Sequence, residues 1–85
     1  MKTEAVHRLR AWPSGTSEGQ ARGRRYHVSK SVFARGKSIK LVAHEIGGTD
    51  YISLNLYDLS AGPRLFPCEM PMEKVLAFLT DLEKA

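Results

Sequence analysis

Eighty-five residues make one domain, too short for more than a thin core, because a chain of this size buries only about 60–65% of the surface it exposes when unfolded. The lone Cys68 excludes an internal disulfide framework, and His7, His27 and His44 lack the spacing of zinc ligands, so no metal or other cofactor is expected and a reducing cytoplasm is the natural compartment. The net charge of +4 conceals an asymmetry: residues 1–40 hold ten Lys/Arg against two Asp/Glu, whereas residues 41–85 hold three against seven, giving +8 and −4. A polyanion or an acidic protein is the expected partner of the first half, and a homodimer is a reasonable answer to the thin core. The first ten residues have no apolar core for a signal peptide, and no apolar run approaches the ~18 residues of a membrane span, so no membrane partner is expected.

In chain order, residues 1–24 read as a flexible basic arm. Thr3 is placed to start a short helix with Ala5, Val6, Leu9 and Trp12 on one stripe, and Pro13 stops it. Ser14 to Gly23 contains no large apolar side chain, so disorder is expected there up to Arg22, Arg24 and Arg25. Residues 25–85 read as a ββββα domain of the α+β class: a four-stranded antiparallel β-meander followed by one C-terminal amphipathic helix on its apolar face.

The third of those strands is the clearest. From Tyr51 to Tyr57, Ile52, Leu54 and Leu56 fall on one side and Tyr51, Ser53, Asn55 and Tyr57 on the other, the period of two of a strand with two unlike faces. Gly47-Gly48 suits a tight hairpin, and taking it as the loop sets Ala43 against Ile52, Leu41 against Leu54 and Ile39 against Leu56. All three pairs are apolar, and a slip of one residue destroys the sorting. The same register sets His44 beside Tyr51, Val42 beside Ser53, Lys40 beside Asn55 and Ser38 beside Tyr57 on the opposite face.

A turn at Arg35-Gly36 places Val28 and Val32 on the apolar face and His27, Ser29, Ser31 and Phe33 on the other. Lys30 is the misfit, expected either to snorkel from a sheet edge or to mark a bulge. The fourth strand, Arg64 to Met70, comes after a turn at Ser60-Ala61-Gly62-Pro63, and because proline cannot donate to a ladder the strand is expected either to be an edge or to be broken at Pro67. The closing helix rests on Met72, Val75, Leu76, Leu79 and Leu82 at helical spacing, with Pro71 and Glu73 suited to its first turn. Phe78, on the flank of that stripe, either seals the core or reaches a second subunit.

No catalytic constellation is present: there is no nucleophile elbow, no metal-ligand spacing and no phosphate-cradling glycine loop, and the chain is expected not to be an enzyme. The polar sheet face is the candidate site. Its rows read His27/His44/Tyr51, then Ser31/Lys40/Asn55, then Phe33/Ser38/Tyr57, with Arg24, Arg25, Arg35 and Lys37 at the rim. Rings that stack bases, interleaved with hydrogen-bonding groups and flanked by cations, suit single-stranded DNA or RNA. A small protein-interaction module, an inhibitor or adaptor docking through the same face or through a free strand edge, is the competing expectation.

From His27 to Leu82 the chain also resembles the positive cofactor four type of single-stranded DNA-binding domain, a family of transcription coactivators. Phe33-Ala34-Arg35-Gly36-Lys37 is similar to that family's first turn, an aromatic followed by Lys-Gly-Lys, and Cys68-Glu69-Met70-Pro71-Met72-Glu73-Lys74-Val75 resembles its last strand entering the helix. The resemblance implies a helix-built dimer gripping unpaired strands with basic and aromatic sheet residues. Phe66-Pro67 stands where that family has Lys-Gly, and only Arg35 and Lys37 carry over by position.

Overall fold

A computed structural model describes residues 2–85. In chain order the described residues form α1 (Lys2–Ala11), β1 (Gly15–Ala21), β2 (Arg24–Phe33), β3 (Ser38–Glu45), β4 (Tyr51–Leu59), β5 (Gly62–Pro67), α2 (Met72–Asp81) and a short β6 (Glu83–Lys84). All strand pairs are antiparallel, and the six-stranded sheet runs β5-β4-β3-β2-β1-β6. The α+β class and the C-terminal helix are as expected, but the sheet has six strands instead of four.

The basic arm is the main correction. Met1 lies outside the described residues; the rest of residues 1–24 is ordered, as α1, β1 and the turn into β2. Helix α1 does carry Ala5, Val6 and Leu9 inward, and Trp12 is buried with them. Strand β1 then turns Ser17, Gly19 and Ala21 inward, small residues that leave room for the side chains above them. A Cβ on Gly19 would stand 2.9 Å from Leu82 Cδ1 and 3.0 Å from Trp12 Cη2, so glycine is what lets both side chains rest on the strand. The Trp12 indole Nε1–H donates to Ser17 Oγ at 3.0 Å, fixing the ring over β1.

Register in the middle of the sheet obeys the apolar sorting. Ala43 pairs with Ile52, Leu41 with Leu54 and Ile39 with Leu56, and the polar partners on the other face fall as derived. Ile52, Leu54 and Leu56 are buried beneath the helices with Val75 and Leu79. Phe78 seals the core, meeting the Tyr26 ring edge-on with centroids 5.0 Å apart. Val32 lies on the same side of the sheet but beyond the helices, and stays 43% exposed.

Lys30 corrects both alternatives expected for it. Strand β2 is interior and its pairing with β3 is unbroken from Tyr26 to Phe33, so there is neither an edge nor a bulge. The side chain is only 5% exposed, and Nζ donates to the carbonyls of Arg10 (2.8 Å) and Trp12 (2.5 Å). These carbonyls lie at the C-terminal end of α1, where a helix has orphan acceptors and the negative end of its dipole. Arg8 does the same for α2, its guanidinium donating to Leu79 O at 2.9 Å and to Leu82 O. Each helix end is thus closed by a cation from a distant part of the chain.

Asp50, at the mouth of β4, ties three elements together. It accepts from Tyr26 Oη–H (2.7 Å) and Lys74 Nζ (2.8 Å), and Arg24 lies 3.6 Å away. The Lys74 hydrogen bond leads in holding the Asp50 carboxyl below its ordinary range; the Tyr26 bond and the charges of Lys74 and Arg24 add to it against the effect of burial. Burial first, then the bond to Asp50, pushes the Tyr26 phenol up to about 12 from 10.0. Between those values the folded state holds a proton that the unfolded state has lost, so the contribution of Tyr26 is full below pH 10 and declines as pH rises toward 12. Urea titrations across this window are expected to show wild-type stability falling more steeply than that of Tyr26→Phe; parallel curves would place the phenol outside the network.

Candidate nucleic-acid interface

With both helices on one side, the other side of the sheet is open. Its side chains are the odd positions of β2 and β4 and the even positions of β3 and β5, and the ladder lines them up in rows. At one end Glu18, His27, His44 and Tyr51 stand side by side, with the His44 and Tyr51 rings stacked at 6.0 Å and 17°. Ser29, Val42 and Ser53 come next, then Ser31, Lys40, Asn55 and Phe66, and at the far end Phe33, Ser38, Tyr57 and Arg64. The Asn55 amide donates to Cys68 Sγ at 3.4 Å, which steadies it beside Phe66.

The far end is a corner with distinct chemistry. Phe33, Tyr57 and Phe66 are 53%, 39% and 43% exposed, and the last two rings lie 5.5 Å apart at 60°. Around them stand Lys40 and Arg64 from the strands and Arg35 and Lys37 from the β2–β3 turn, all exposed. The β2–β3 ladder closes at Phe33 and Ser38, so the turn spans four residues, with Lys37 N–H donating to Ala34 O at 3.2 Å. Ala34 and Arg35 there adopt left-handed backbone (φ 52° and 57°), which costs a non-glycine residue about 1–2 kcal/mol.

Outside this corner, only Lys2 and Lys84 among the described Lys and Arg side chains lack a polar partner. Arg10, Arg22, Arg24, Arg25 and Lys74 all have carboxylate partners, and Arg8 and Lys30 are engaged by carbonyls. Arg35, Lys37, Lys40 and Arg64 have no ion-pair partner among the described residues. The acid nearest in sequence, Asp58, points to the helix side, 3.7 Å from Arg10. A cleft of about 370 Å³ beside α2 also gathers cations, Arg22, Arg24 and Lys74, but each of these is matched by an acid.

The residues singled out from the sequence are therefore divided. Phe33, Arg35, Lys37, Lys40, Asn55 and Tyr57 converge on the corner. His27, His44 and Tyr51 lie at the opposite end of the same face, with Arg25 beyond them bound to Glu18. Arg24 does not join the others: it lies on the helix side, 3.6 Å from Asp50 and 4.0 Å from Glu45. Arg64 and Phe66 belong to the corner although sequence reasoning passed over them. Centring the β4–β5 turn on Ser60-Ala61 would have found both, since it sets Tyr57 against Arg64 and Asn55 against Phe66.

Fold and face together define a small α+β protein whose antiparallel sheet is covered by two helices on one side and open on the other. Comparison with protein-family models, with curated proteins and with solved structures finds no match for this chain. Among the described residues, no group of three or more His, Cys, Asp or Glu is placed to hold a metal ion and no helix is long and apolar enough to cross a membrane.

Proposed function

We propose that this chain is a non-enzymatic single-stranded nucleic-acid-binding protein that uses the open sheet face, with the corner as its anchor. The observation that carries this reading is the convergence of four unpaired cations with three exposed aromatic rings on a patch without an acid. Cations neutralise phosphates and the rings stack on unpaired bases, each worth about 1–3 kcal/mol, whereas a paired duplex hides the base faces the rings need. Every group of the corner comes from one chain, so the contact does not require the homodimer expected from chain length.

Strand edges favour the face over docking by strand addition. Cys68 N–H donates to Ser53 O, so the even residues of β5 turn their backbone groups to β4 and the odd ones turn theirs outward. Two of those outward residues, Pro63 and Pro67, have no N–H, which leaves Leu65 as the single donor between them. At the other edge β6 and the Ala85 N–H to Glu18 O bond cover the C-terminal half of β1.

Fluorescence anisotropy with a labelled single strand tests the reading. With four phosphates neutralised, affinity is expected to fall about fiftyfold between about 50 and about 200 mM salt, and only about sevenfold in an Arg35→Ala/Lys37→Ala variant. Absence of binding at the lower salt, or equal affinity for duplex, would refute it.

A further inference from the structure

Resting on that reading, we infer that the ligand is an extended single strand laid along β4, anchored at the corner and reaching the His44–Tyr51 pair at the other end. Two ring pairs mark the ends of this path: Tyr57 with Phe66, and Tyr51 with His44. Tyr51 and Tyr57 both belong to β4 and are 38% and 39% exposed. Six residue-to-residue steps of about 3.3 Å separate them, roughly 20 Å of strand.

The floor between the two pairs is made for a polar chain to cross. Ser53 and Asn55 lie along β4, with Ser29, Val42, Ser31 and Lys40 beside them, and no acid stands among these residues. The one acid of the row at the far end, Glu18, is two strands away from His44 and is bound by Arg25. A path across the strands would instead run only along the corner's own row, from Arg64 on the β5 edge to Phe33 on β2, beyond which β1 does not extend, and would not reach the second ring pair. Charge grades along the path as well, from four unpaired cations at the corner to two imidazoles at the end. Binding is thus anchored electrostatically at the corner and extended by stacking toward Tyr51.

A stacked strand advances about 3.4 Å per nucleotide and an extended one up to about twice that, so 20 Å is covered in roughly three to six nucleotide steps. A strand of about three nucleotides fits the corner alone, whereas one of about nine spans both ends. NMR titrations of the whole chain with oligothymidylates of these two lengths separate the possibilities. Tyr57→Ala is expected to weaken both about tenfold, while Tyr51→Ala weakens the longer strand about tenfold and leaves the shorter one unchanged. Ser53→Glu, a charge placed mid-path on an outward position, should likewise weaken only the longer strand. If the longer strand binds and neither Tyr51→Ala nor Ser53→Glu affects it, the path is wrong and the corner alone is the site. If Tyr51→Ala weakens both lengths equally, the corner is not the anchor. If the unaltered protein binds neither strand at low salt, the inference falls together with the function on which it rests.

Discussion

Truncating Leu54 to alanine is expected to lower the unfolding free energy by about 2–5 kcal/mol and leave the sheet's open face able to bind if the fold survives. Leu54 has no exposed surface, pairs with Leu41 across the ladder and lies beneath the helices, so the vacated volume cannot be filled without moving them. Tyr57→Ala reverses the pattern. Its ring is outside, and the fold should lose only a cross-strand contact worth about 0.2–1 kcal/mol, while oligonucleotide affinity falls by about 1–3 kcal/mol. Urea unfolding and anisotropy on the same two proteins measure both quantities. A stable Leu54→Ala beside an unfolded Tyr57→Ala would mean the two faces have exchanged roles.

Lys30→Ala is expected to cost about 3–5 kcal/mol, since it removes two charge-assisted hydrogen bonds and leaves a gap under α1. Lys30→Met keeps the stem in place and relieves the desolvated ammonium, so its cost should be nearer 1–3 kcal/mol. The two variants together separate packing from capping. Burial holds the Lys30 amine below its ordinary 10.5. In the interval between its lowered value and 10.5 the unfolded chain binds more protons, and this residue's contribution to stability therefore rises with pH. Tyr26 acts in the opposite sense at high pH, so the wild-type curve must be compared with that of Lys30→Met. A difference that does not grow with pH would show that the amine is hydrated in the folded state.

How much was legible in the sequence depended on side-chain size. The β3–β4 register could be derived because Ile39, Leu41, Ala43, Ile52, Leu54 and Leu56 sort without exception about Gly47-Gly48. Helix α2 announced itself by spacing in the same way. Strand β1 gave no such signal, for its inward side chains are Ser17, Gly19 and Ala21, and its contribution to the core is the space it leaves for Trp12 and Leu82. A stretch that reads as linker was a strand whose hydrophobic cover is supplied by other elements. Lys30 was recognised as out of place, but its acceptors, the end carbonyls of α1, belong to a short helix expected to sit on a flexible arm away from the sheet. Most of the corner was visible through alternation and the Arg35-Gly36-Lys37 turn. The remainder, Arg64 and Phe66, lies across a turn whose Ser-Ala-Gly-Pro sequence does not by itself fix which two residues stand at its centre.

Closure of the two helices by distant cations also fixes when the molecule can be completed on the ribosome. Arg8 is bonded to carbonyls 71 and 74 positions further along the chain. A ten-residue helix is marginal in isolation. At translation rates of about 5–20 residues per second, Arg8 waits several seconds for the carbonyls that receive it. The bonds from Arg8 to α2 therefore form late, after the hairpins between their two ends have been made, and this early-made cation is among the last to find its partner.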